Sequence, residues 1–112
     1  MAWTRKGDRA AKRRKVIASE MAAKAEVRER DDYRCRVPGC MNPRRQLEVA
    51  HLEDKGMGGD PTGIRSTADK MLVLCRDHHQ GPRSVHSGHL VITPQDAELG
   101  TAGPCTFDWR QL

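Results

Sequence analysis

Aromatic residues are scarce in this chain, with one tyrosine, one phenylalanine and two tryptophans among 112 residues. Hydrophobic residues make up only 37%, so the core must be thin. A chain this short buries a modest share of its surface and commonly needs a staple. Long apolar runs are missing as well. No stretch approaches the length of a membrane span, and the first residues, MAWTRKGDRAAKRRK, contain no apolar segment of the secretory kind. These absences argue against a membrane partner and for a cytoplasmic protein. Thiols stay reduced in that compartment, so the four cysteines are expected to bind metal or do chemistry rather than form disulfides.

Charge is plentiful but unevenly placed. The formal net charge is +5, with residues 1–15 contributing +6 and residues 16–112 contributing −1. The basicity therefore belongs to an N-terminal arm, residues 1–13, expected to be disordered. Such an arm suits non-specific attraction to nucleic acid phosphates. Lys12, Arg13, Arg14 and Lys15 are its candidate DNA-binding residues.

Residues 14–31 read as a helix, rich in Ala, Lys, Glu and Arg without Gly or Pro. Glu20–Lys24 and Glu26–Arg30 stand at favourable i,i+4 spacing. Val16, Ile17, Met21 and Val27 form a narrow apolar stripe, enough to pack one side. CRVPGCMNPRR, residues 35–45, is turn chemistry. Strands are expected at 47–52 and 71–74, separated by a long polar loop that contains KGMGGD. A helical turn should run from Arg76 until Gly81-Pro82 stops it. A third strand is expected at 89–93, and residues 94–112, poor in apolar residues, read as a loosely attached tail. One domain over 14–93 follows.

Two ligand pairs stand out: Cys35-x4-Cys40 and Cys75-x2-His78. Zinc takes four Cys or His ligands in a tetrahedron, and short spacing within each pair lets a tight turn aim both side chains at one ion. Pro38-Gly39 supplies such a turn. The expectation is a closed structural Zn2+ site of Cys35, Cys40, Cys75 and His78. The bland alternative is scattered buried cysteines with an exposed histidine. Cys105 has no spaced partner and is either a free thiol or a substitute for His78. If zinc takes His78, the adjacent His79 points about 100° away on a helical turn and is open to a second role.

The order CRVPGC, LEVAHL, KGMGG, MLVLCRDHH resembles the His-Asn-His (HNH) endonuclease family in its zinc-braced form, over residues 33–90. The helix leading into YRC and the ending VHSGHL resemble small bacterial and phage members. The resemblance implies an α+β domain of ββα-metal (His-Me finger) type, in which a hairpin and a helix surround one catalytic divalent ion. By position it implies that His51 is the general base and His79 a ligand of that ion, which would be Mg2+, Mn2+, Ni2+ or Zn2+. The implied reaction is metal-dependent hydrolysis of a DNA phosphodiester, leaving 5′-phosphate and 3′-hydroxyl ends. Histidine suits the base because its ordinary pKa lies near working pH.

Two positions depart from the family pattern. Ala50 stands where an Asp or His ligand is usual, and Lys70 stands where the Asn is expected. Glu48, Asp69 and His86 are the alternative further ligands, and the sequence does not choose among them. Lys55 and Arg65 in the Gly-rich loop are expected phosphate contacts or ordinary solvated charges, and His89 is expected at the surface or in packing. The competing functions are a zinc-stapled DNA-binding module without catalysis and a protein partner in a phage packaging or recombination assembly.

Overall fold

The computed structural model describes residues 5–52 and 67–111, with side chains from residue 9 onward. A long helix, α1 (Arg5–Arg30), leads into a hairpin of β1 (Leu47–His51) and β2 (Met71–Cys75). A short helix, α2 (Arg76–Gln80), follows at once. The chain ends in a second hairpin of β3 (Leu90–Pro94) and β4 (Cys105–Trp109). Both hairpins are antiparallel, and among the described residues they form two separate two-stranded sheets. The α+β class read from the sequence is thus observed.

β2 is apolar without alternation, MLVLC, because both of its faces are covered. Leu72 and Leu74 join Ala50, Cys35, Val37, Cys75 and Leu90 in one cluster. Met71 and Val73 join Val27 of α1 in another, with Ala23 and Val49 packed against them. The register pairs His51 with Met71, Ala50 with Leu72, Val49 with Val73 and Glu48 with Leu74. Cross-strand partners share a face and successive residues alternate. His51 and Val49 therefore face α1, while Glu48 and Ala50 face the opposite side.

The helix differs from expectation at its start. It begins at Arg5, not at residue 14, so residues 5–13 of the expected disordered arm are helical. Ala, Arg and Lys are strong helix formers, and their sum outweighs the single Gly7, which costs about 1 kcal/mol. Half of the expected apolar stripe is also solvent-facing. Val27 is fully buried, but Ile17 and Met21 are exposed, because only the last turns of α1 reach the β1–β2 sheet.

The tail expected at 94–112 is instead built into the fold, and the domain extends past residue 93. β4 pairs with β3 from Leu90↔Trp109 to Pro94↔Cys105. The third strand thus pairs with the C-terminal segment and belongs to a sheet other than that of β1 and β2. Thr101 is fully buried. Its hydroxyl donates to the carbonyl of Met71 at 2.6 Å. Gly100, at φ +56°, lies so close to the carbonyl of Asp69 that any Cβ would collide with it.

A buried ionic network joins these segments. The side chain of Asp31 is 2% exposed and pairs with Arg30 at 2.8 Å and Arg36 at 3.0 Å. Arg30 also donates to the carbonyls of Ala68 and Met71, each at 2.9 Å. Arg36 donates to the carbonyls of Thr101 and Gly103 at 2.7 and 3.0 Å. The network compensates for the thin apolar core by tying α1, β2 and the C-terminal segment together through charge-assisted bonds.

Candidate metal centre and functional site

Cys75 ends β2 and His78 lies one turn further, on α2. Cys35 follows α1, and Cys40 closes the turn after Pro38-Gly39, where Gly39 takes φ +81° and Cys40 N–H donates to the Val37 carbonyl. A residue with a Cβ disfavours that left-handed conformation. The four ligand atoms of Cys35, Cys40, Cys75 and His78 lie within 4.8 Å of one another. Cys40 Sγ is 3.8 Å from Cys75 Sγ, and Cys35 Sγ is 3.5 Å from His78 Nδ1. Ordinary Zn–S and Zn–N bond lengths in a tetrahedron place two sulfurs about 3.8 Å apart and a sulfur and nitrogen about 3.6 Å apart. The donor set therefore fits a zinc ion, with Cys75 Sγ to His78 Nδ1 the tightest edge at 3.1 Å.

Without an ion the site is electrostatically uncomfortable. Burial pushes the Cys35 thiol up to about 12, and the nearby Cys75 and Cys40 add to the rise. Backbone N–H groups of Cys75 and Val37 act against it. A bound cation reverses that balance by stabilising thiolates directly. Asn42 Nδ2 donates to Cys75 Sγ at 3.1 Å, the kind of outer hydrogen bond that orients a ligand. Cys105 is not part of the group; its sulfur lies near Arg36 Nη2 and the Gly103 carbonyl. His78 therefore keeps the fourth position.

His79 turns to the Glu48 side chain. Its Nδ1 is 2.8 Å from Glu48 Oε1, and Gln80 Nε2 donates to the same oxygen at 2.9 Å. Arg76 Nε is 3.6 Å from the other oxygen, Oε2. Of the alternative ligands weighed from the sequence, Glu48 is the one brought to His79. His86 folds back, but through its backbone: its N–H donates to the His79 carbonyl at 3.1 Å, and the residue is exposed. Asp69 is exposed beside Gly100. Ala50 is fully buried in the core, where a ligand side chain would have to displace Leu72 or Leu74.

His51 sits elsewhere. Its Nε2 is 3.6 Å from Glu20 Oε1 of α1, with both side chains largely buried. Glu20 also pairs with Lys24 at 3.3 Å, as its spacing predicts. His51 and His79 thus lie on opposite sides of the β1–β2 hairpin and do not share one ligand cluster. Among the described residues, Cys35, Cys40, Cys75 and His78 are the only group of three or more His, Cys, Asp or Glu close enough to hold an ion.

Lys12, Arg13, Arg14 and Lys15 are all exposed on α1. Lys55 and Arg65 lie outside the described residues. No described helix is long and apolar enough to cross a membrane. Asn42 and Trp109 escaped the sequence reading and Glu20 was read only as a partner of Lys24, since nothing in their spacing links them to Cys75, His78 or His51. No family model, curated protein or solved structure matches the chain.

Proposed function

We propose that the protein is a metal-dependent DNA endonuclease of the zinc-braced HNH, ββα-metal kind. The observation that carries the reading is the unit β1–β2–α2. It sets His51 at the end of the first strand and puts His79 on the helix directly after the zinc ligands, with the Glu48 carboxylate at 2.8 Å. Glu48 and His79 would hold a divalent ion of the Mg2+ kind. Such an ion would supply charge stabilisation at the scissile phosphate. Glu48 then takes over the carboxylate duty that Ala50 lacks.

The chain's own residues do the rest. His51, oriented by Glu20, takes a proton from the attacking water. The water oxygen bonds to phosphorus, the P–O3′ bond breaks, and solvent protonates the leaving 3′ oxygen. The exposed bases of α1 hold the flanking phosphates. Because His51 and Glu48 lie three residues apart on β1, about 10 Å along the strand, the phosphodiester must span the hairpin from one face to the other. That separation favours a second reading, a zinc-stapled DNA-binding module that does not cut.

Plasmid nicking separates the two. The protein is incubated with supercoiled DNA and Mg2+, Mn2+ or Ni2+, with and without EDTA. Metal-dependent nicking lost in both His51→Ala and His79→Ala supports the nuclease. A mobility shift with no nicking under any metal leaves the binding module.

A further inference from the structure

Beside His78, at the end of the second hairpin, lies a built surface that the nuclease reading does not use. Trp109, the last residue of β4, is 46% exposed in a chain with few aromatics. Its ring centroid is 5.7 Å from that of His78, tilted by 60°, and the Arg83 guanidinium carbon lies 5.6 Å from the indole centroid. Asp77, His78, Pro82, Arg83 and Trp109 line an open cavity of about 580 Å³. A second recess of about 390 Å³ shares Arg83 and is lined by His89, Arg110 and Gln111 as well.

The two recesses differ in chemistry. The first offers an aromatic face, a proline and one carboxylate; the second offers two guanidinium groups, an imidazole and an amide. The second is also anchored: Arg110 N–H donates to the His89 carbonyl at 2.6 Å, and Ser87 Oγ is 2.9 Å from His89 Nδ1. A flat apolar platform beside a cationic recess matches a nucleotide, with base on one side and phosphate on the other. Duplex DNA hides its base faces in the stack, so the match is to an unpaired strand.

We propose that Trp109, Arg83 and Arg110 form a binding site for single-stranded DNA. An unpaired base stacks on the indole, and its flanking phosphates sit against the two arginines. Stacking on aromatic side chains beside a positive groove is how single strands are held without sequence preference. Asp77 supplies an acceptor for an amino or imino N–H of the base. The site does not depend on cleavage, and neither Glu48 nor His79 lines it.

The test uses the zinc-loaded full chain carrying Trp3→Phe, so that Trp109 is the sole indole. No further divalent ion is added. A short single-stranded oligonucleotide should quench Trp109 fluorescence, and the blunt duplex of the same sequence at equal phosphate should not. With a labelled single strand followed by anisotropy, Trp109→Ala should weaken binding roughly tenfold. The double variant Arg83→Ala/Arg110→Ala should flatten the log–log salt slope by about 1.4. Zinc content is measured in every variant. Equal quenching by duplex, or unchanged affinity in zinc-replete Trp109→Ala, overturns the proposal. If Trp109→Ala sheds zinc because it shields His78, the double variant decides, and an unchanged slope there overturns it. Failure of the nuclease reading looks different: plasmid is never nicked while Trp109-dependent single-strand binding persists.

Discussion

Asp31 Oδ2 accepts the backbone N–H of Val73 at 2.9 Å, across 42 residues of chain. One carboxylate thus holds a strand edge and neutralises two arginines, Arg30 and Arg36. Removing one member of a buried ionic group strands the others in a low-dielectric interior. Asp31→Ala is therefore expected to cost about 3–5 kcal/mol, a large part of the stability of a small domain. Urea denaturation of the zinc-loaded protein measures it. Arg34→Ala is the comparison, because its pair with Asp32 is at least 80% exposed on both sides; its midpoint should not move.

Zinc is expected to hold the fold together. Its ligands would join two segments of a chain with little core, Cys35–Cys40 and Cys75–His78, and a structural zinc site can supply the folding free energy of such a domain. Cys40→Ala, or a strong chelator on the parent, should abolish the cooperative thermal transition seen by circular dichroism. A chelated protein that kept its transition would show the site to be dispensable.

The metal-free site should respond to pH in a defined direction. The Cys35 thiol is pushed from 9.0 up to about 12 by burial, so zinc uptake must expel its proton. Apparent zinc affinity should rise between pH 6 and 8, up to about tenfold per pH unit for each proton released. Zinc titrations against a chelating dye across that pH range check the trend.

The adjacent histidines should fail in different ways. His78→Ala should lose zinc and fold poorly. His79→Ala should keep zinc and its fold while losing divalent-ion affinity at the Glu48 side, and excess metal should partly restore nicking. His51→Ala should retain both metals and cut roughly 10²–10⁴-fold more slowly. If His78→Ala stayed folded while His79→Ala shed zinc, the two assignments would have to be exchanged.

The basic run of α1 should supply affinity without sequence preference. Replacing Lys12, Arg13, Arg14 and Lys15 with alanine keeps a strong helix former at each position. If all four meet phosphates, the log–log salt slope on duplex DNA should flatten by about 3.6. Any pattern of cut sites should stay the same, because phosphate contacts carry no base information. Mobility shifts over a salt series, with mapping of cleavage products, read both.

By itself the sequence determined the Cys35, Cys40, Cys75 and His78 group that could hold a metal ion, the hairpin-and-helix order and the separation of His78 from His79. These are local matters. Four residues at Cys-x4-Cys and Cys-x2-His spacing need only a turn and the start of a helix to converge, and β2 announces its burial by being apolar throughout. The helix start was legible in kind but not in extent, since charge pattern suggested an arm where Ala, Arg and Lys propensity carried the helix back to Arg5. Only the tertiary structure decided that the segment after residue 93 pairs back on β3 and accepts hydrogen bonds from Arg30 and Arg36, and is not a tail. Thr101 looks like any polar loop residue until Arg30, 71 positions earlier, is seen to reach it. It likewise decided that Glu48 faces His79 while Glu20 faces His51. Strand alternation settles which face each residue takes, but what waits on that face depends on how α1 and α2 pack, and no spacing along the chain records that.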